Sequence, residues 1–417
     1  MKTRIISIGD ELLIGQTVNT NAAYLGTVLT EHNCEIEKVS VIGDELKAII
    51  DEFTDAYDKC EIIAVTGGLG PTHDDLTVKA VVQFFNTELV KNNDVLEDIK
   101  ERFEKLNRPM SPANIDQALV PKNAEVLRNP YGTAPGLLFN TKGKLFFVLP
   151  GVPYEMKGLM QDHVLPILAE LSLKRGIITK RITLSTTGIA ESALYGKLKA
   201  EGVLEIGVIV AFLPSQFGVK IRLTASSTSE ENALDMLSEA EQKIRGVAGQ
   251  FIYSRSGEEL GCVVGRLLTE RGLRLAVAES CTGGLLSSVL TDYSGSSAFF
   301  DRGVVSYGNA AKVEMLEVEE DTIAELGAVS EQVCMQMAQG IRSISAADIG
   351  IGISGVMGPT GGTPDKPVGL VFVALSDSEN TIVKRFNFGD DRLLNKQRTV
   401  QAALDMIRKF LLRIPIE

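Results

Sequence analysis

The sequence predicts an α/β protein: two three-layer α/β domains joined by a small α+β unit. Three observations carry this. Short β-branched runs alternate with helical periodicity towards both ends of the chain. The alternation breaks between Lys174 and Arg255, where strand pairs and two helices stand instead. A chain of 417 residues also exceeds what one core ordinarily organises. The expected domains are 1–173, 174–255 and 256–417.

Each element has a local signal. In the first domain TRIISIG, EIEKVSVIG, CEIIAVTGG and KLFFVLPG read as strands. NTNAAYLGTVLTEHN, ELKAIIDEFTDAYDK and DLTVKAVVQFFN place apolar residues at helical spacing between them. The expected product is a parallel sheet with helices on both faces, closed by the helix VPYEMKGLMQDHVLPILAEL. The middle unit reads as strand KRITLSTTG, helix ESALYGKLKAEG, strands within EIGVIVAFLPSQFGVKIRLTASS, and a helix from Glu230 to about Gly246. The third domain opens with helix ELGCVVGRLLTERG, strand LRLAVAES, helix CTGGLLSSVLTDY and strand FFDRGVVSYG. Helix EQVCMQMAQGIRSIS, strands DIGIGISGVMG and PVGLVFVALS, and a last helix from about Leu393 to Leu412 complete it.

Composition excludes several classes. Hydrophobic residues make 44% and charged residues 23%, the balance of a soluble globular chain rather than a disordered or fibrous one. A net charge of −12 argues against a protein whose main task is to grip nucleic acid or anionic lipid. Small anions need only local donors and stay open as ligands. The five cysteines include no C-x-x-C pair, so neither a zinc site nor a disulfide framework is expected. MKTRIISIGDELLIG lacks the long apolar region of a signal peptide, and no apolar run approaches the roughly 18 residues of a membrane span. A cytoplasmic protein without a membrane partner is the expectation.

In the first domain AVTGGLGPTHDDLT sits where a strand gives way to a helix. Its glycines let backbone N–H groups approach an anion, and the helix dipole favours negative charge there. Asp74 and Asp75 follow, as helix caps or as carboxylates for a divalent ion. Gly9-Asp10-Glu11, Gly43-Asp44 and Pro150-Gly151-Val152-Pro153 belong to other strand ends of the same edge.

In the third domain AESCTGG occupies a strand-to-helix turn, which would expose Ser280 beside backbone amides able to stabilise an oxyanion. The chain's histidines are His32, His73 and His163, so a Ser-His-Asp triad within this domain is excluded. Lys312, with its pKa lowered by burial or by a nearby cation, could serve as the base instead. Cys281 is a rival nucleophile. GISGVMGPTGG supplies a second glycine-rich loop, and Arg392, Arg398 and Gln401 lie at the last helix.

These residues carry a resemblance. GDELLIGQTVNTNAAYL, TGGLGPTHDDLT, NPYGTAPG and LPGVPYEM resemble the CinA (competence/damage-inducible) family over essentially the whole chain. Its first domain is similar to molybdopterin-binding domains and is associated with metal-dependent ADP-ribose pyrophosphatase activity. The resemblance implies that Thr66, Gly67, Gly68, Gly70 and Gly151 hold phosphate. It implies that Asp44, Asp74 and Asp75 bind or orient a divalent metal ion of unknown identity. The third domain resembles the CinA C-terminal domain and the nicotinamide mononucleotide (NMN) deamidases, which need no cofactor. That implies Ser280 as nucleophile and Lys312 as base, with Tyr307 beside it. Glu279, Cys281, Thr282, Gly283, Gly284, Asn309, Ser354, Gly355, Gly358 and Arg398 would contact the substrate, Arg398 at its phosphate. The middle unit looks like a KH fold in element order but has no G-x-x-G loop, so nucleic acid is not expected as a partner. NMN and ADP-ribose are the expected small-molecule partners, and a homodimer is the family's expectation. A non-catalytic nucleotide or pterin sensor and a competence-associated interaction protein are the rival readings.

Overall fold

A computed structural model describes residues 1–70, 76–105, 107–176, 178–345 and 347–416. The chain packs as two compact units: Met1–Lys180 with Ser226–Leu234, and Arg181–Ala225 with Asp235–Glu417.

The first sheet contains β1 (Lys2–Ile8), β2 (Glu35–Ile42), β3 (Ile62–Thr66), β6 (Glu125–Leu127), β7 (Gly136–Thr141) and β8 (Lys144–Leu149), in the order β2-β1-β3-β8-β7-β6. The short strands β4 (Leu89–Lys91) and β5 (Leu119–Pro121) pair separately. β2, β1, β3 and β8 run parallel, whereas β7 and β6 are antiparallel additions. The sheet is therefore mixed, not wholly parallel. Lys142 and Gly143, both at positive φ, make the two-residue turn that folds β7 directly onto β8. β3 is buried along its whole length, as a strand covered on both faces must be. Ile5, Leu25, Phe147 and Leu149 form one core face. Ile6, Phe53, Val65 and Phe146 form the other. The chain leaves β1 for β2 on one side and then crosses to β3 on the other, so the ends of β1 and β3 form a topological switch point.

The middle sheet orders β9 (Ile178–Thr186), β10 (Ile209–Ser215), β11 (Gly218–Ser227) and β12 (Ile252–Ser254) as β10-β11-β9-β12. β11 alternates buried and half-buried residues, the period of a strand with one covered face. The helices are Glu191–Ala200 and Glu230–Ala248.

The last sheet contains β13 (Leu275–Glu279), β14 (Phe300–Val305), β15 (Ile349–Gly355), β16 (Leu370–Ser376) and β17 (Thr381–Asn387), in the order β14-β13-β15-β16-β17. β13 is parallel to β14 and β15, and β16 and β17 are antiparallel. Val277, Ile351 and Val371 pack against Val400, Leu404 and Ile407 of the helix Arg392–Leu412. Ala276 and Ala278 pack against Val333, Met337 and Ile341 of the helix Glu331–Ser345 on the opposite face. That helix approaches closely: a Cβ on Gly352 would sit 2.4 Å from the Cys334 carbonyl oxygen. Among the described residues no helix is long and apolar enough to cross a membrane.

Candidate active site

β13 is fully buried and delivers Glu279 and Ser280 to the sheet edge. The Ser280 amide donates to the Ile353 carbonyl at 3.1 Å, which fixes the turn to β15. The chain then passes through Gly283 and Gly284, with φ of 63° and 92°, into the helix Leu285–Thr291. Glycine suits these left-handed positions because a Cβ would strain them. The Glu279 carboxylate accepts from the amides of Gly284 (3.1 Å), Leu286 (3.0 Å) and Ser287 (2.8 Å) and from the Ser287 hydroxyl (2.7 Å). Glu279 is turned inward and satisfies the helix N-terminus, which differs from the substrate contact read from the sequence.

Ser280 and Lys312 meet. Lys312 Nζ lies 3.2 Å from Ser280 Oγ and donates to the Ser306 carbonyl at 2.8 Å and to the Tyr307 carbonyl at 3.2 Å. Lys312 is 1% exposed and Ser280 8% exposed. Burial pushes the Lys312 ammonium below its usual range, because desolvation disfavours the charged form. A neutral amine keeps two N–H donors and one lone pair. The two carbonyls match the donors, and the lone pair is left facing Ser280 Oγ. The Ser306 amide donates to the Glu279 carbonyl at 2.9 Å, which ties the loop before Lys312 to β13.

The remaining sequence-read residues divide. Cys281 is buried, and burial pushes its thiol up to about 12, so the reactive thiolate is suppressed. Thr282 Oγ1 and Ser306 Oγ are buried with no hydrogen-bond partner among the described residues. Ser354 is held by the Ala328 carbonyl at 2.6 Å, and Gly355 is pressed against the backbone of β16. Asn309 is exposed and opens the helix Asn309–Leu316. The Tyr307 side chain is 61% exposed and its hydroxyl accepts from Arg392 at 3.1 Å, so the residue meets Lys312 through its carbonyl and not through its ring. Arg392 also donates to the Gly358 carbonyl at 3.0 Å, tying the second glycine loop to Tyr307.

Arg398 is not brought to Ser280. It lines a cavity with Thr187, Phe217, Phe388 and Asp405, and no member of the Ser280–Ser306–Tyr307–Lys312 set borders that space. Arg392 and Lys396 stand at the nucleophile side instead. Lys396 Nζ is 3.6 Å from where a Cβ on Gly283 would lie. Their i, i+4 spacing was the signal available in the sequence.

In the first domain the ends of β1, β3 and β8 approach closely at Gly67 and Gly151. A Cβ on Gly67 would sit 2.2 Å from the Ile8 carbonyl oxygen, and one on Gly151 would sit 3.3 Å from Gly67 Cα. Thr66 is buried: its hydroxyl donates to the Pro150 carbonyl at 2.9 Å and accepts from Asn21 at 3.2 Å. It knits the edge together instead of presenting its hydroxyl outward. Gly68 lies against Thr77, and Gly70 is exposed. Asp10 and Asp44 exchange contacts, each backbone amide donating to the other's carboxylate at 3.1 Å. Asp74 and Asp75 lie outside the described residues. Among the described residues no group of three His, Cys, Asp or Glu side chains comes together that could hold a metal ion.

The fold is that of a multidomain α/β protein with a KH-like unit between two larger mixed sheets. Residues 258–411 match the CinA C-terminal domain, residues 4–170 a probable molybdopterin binding domain, and residues 181–254 the damage-inducible protein CinA KH domain. A competence-damage inducible protein of Clostridium botulinum (strain Okra / Type B1) is 39% identical over 98% of this chain and 99% of its own. A CinA-like protein of Kosmotoga olearia is 39% identical over 99% of both chains. A solved structure of the competence/damage inducible protein CihA from Agrobacterium tumefaciens is 41% identical over 37% of this chain and 93% of its own, with a TM-score of 0.36. The chain belongs to the CinA family.

Proposed function

We propose that the C-terminal domain hydrolyses the carboxamide of NMN to nicotinic acid mononucleotide and ammonia. The observation that carries this is the buried Lys312 Nζ, held by two carbonyls with its third position on Ser280 Oγ. Ser280 Oγ attacks the carboxamide carbon while Lys312 takes its proton. The tetrahedral adduct collapses, and Lys312 returns that proton to the departing ammonia. The acyl ester on Ser280 is then attacked by water, with Lys312 again accepting the proton, and the acid leaves. Arg392 and Lys396 supply positive charge for the substrate phosphate. No cofactor enters this sequence. The test is ammonia release from NMN, without added metal, by wild type and by Ser280→Ala and Lys312→Ala. Turnover by wild type and its loss in both folded variants is the expected result. Undiminished turnover in Ser280→Ala would overturn the assignment.

For the N-terminal domain we propose hydrolysis of ADP-ribose or a related pyrophosphate. The glycine-lined convergence of β1, β3 and β8 supports the phosphate half of that reading.

A further inference from the structure

Arg398 lines a cavity apart from Ser280 and Lys312. Its volume is about 490 Å³. Both of its walls belong to one compact unit: Thr187, Gly188 and Phe217 on the KH-like side, and β17 with the helix Arg392–Leu412 on the other. The helix presents Arg398, Gln401, Asp405 and Lys409 to it, a spacing of three, four and four residues that keeps them on one face. Gln401 donates to the Thr187 hydroxyl at 3.2 Å, joining the walls.

The charge balance is uneven. Asp405 is already matched by Arg408 Nε at 2.9 Å and by Lys409 at 3.2 Å. Lys384 and Arg398 are half-buried and have no hydrogen-bond or ion-pair partner among the described residues. Two unpaired cations facing one open cavity favour an anion. The same space is walled by flat apolar surface. Phe386 and Phe388 stack with centroids 5.7 Å apart and planes 9° apart, and Phe217 lines the opposite wall. Gly188, with φ of 73°, places backbone rather than a side chain at the rim.

We propose that this cavity binds a free mononucleotide, its phosphate on Lys384 and Arg398 and its base against the phenylalanine wall. The volume suits one such molecule and not a strand. The proposal is independent of the deamidase reading, because it concerns the opposite face of the helix from Arg392 and Lys396.

Hydrogen exchange of the full chain with AMP as probe tests it, with calorimetry for affinity. Segments 384–389 and 398–409 should gain protection. Inorganic phosphate and adenosine should each bind at least about tenfold more weakly than AMP. Lys384→Ala with Arg398→Ala should lose at least about tenfold in AMP affinity at these segments, and the Gln pair, which keeps the apolar stems, should behave alike. Protection confined to other segments, phosphate binding as well as AMP, or undiminished affinity in the folded Gln pair would overturn the proposal. Tighter binding of a single-stranded oligonucleotide than of AMP would overturn it in favour of nucleic acid.

Discussion

At the scale of the residue, the chemistry rests on whether Lys312 is neutral. Its pKa is lowered from the ordinary lysine value of 10.5 by burial, so the neutral fraction grows as pH rises through a value below 10.5. The rate of ammonia release should fall on the acid side as that amine gains a proton, with the limb's midpoint below 10.5. Lys312→Arg, which stays protonated, should lose about 10²–10⁴-fold in kcat. A pH–rate profile of wild type and of this variant checks both statements, and a rate independent of pH would contradict them. Ser280 was legible in the sequence from the glycine turn that frames it, and Lys312 through the family resemblance once histidine was excluded from the domain. Glu279 was not legible. Its neighbours in the chain say nothing of the four donors that the turn folds back onto it.

At the scale of the element, the nucleophile turn depends on that carboxylate. Glu279→Ala would leave three amides and a hydroxyl without their acceptor in a buried turn. The expected cost is at least about 4 kcal/mol, since each of the four orphaned donors costs about 1–3 kcal/mol. Glu279→Gln keeps one acceptor oxygen and should lose less. Denaturant titration of the C-terminal domain's unfolding checks this, and equal midpoints for wild type and Glu279→Ala would contradict it. The last helix shows where sequence reading stops. Arg392 and Arg398 lie six residues apart, about 120° around a helix of 3.6 residues per turn. They therefore face different spaces, and only the packed sheet decides which face meets Ser280. β17 escaped for a related reason. TIVKRFN is a half-exposed edge strand, recognisable once β16 offers it a partner.

At the scale of the whole molecule, alternating periodicity was sufficient to show two α/β domains flanking a KH-like one. The antiparallel strands of both larger sheets were not, since pairing direction depends on short connections such as Lys142-Gly143. Because the two proposed reactions are assigned to different sheets, they should be separable. Ser280→Ala should abolish ammonia release and leave ADP-ribose cleavage in added magnesium unchanged. Gly67→Ala, which drives a Cβ into the Ile8 carbonyl, should do the reverse. Assaying both products from both variants checks this, and joint loss in folded Ser280→Ala protein would contradict it.

The central claim is that Ser280, and not Cys281, carries the acyl group. The most direct measurement is acid quenching of NMN turnover followed by peptide mapping of the covalent adduct by mass spectrometry. The account predicts a nicotinoyl nucleotide ester on Ser280, absent from Ser280→Ala. An adduct on Cys281, or continued turnover by Ser280→Ala, would contradict it.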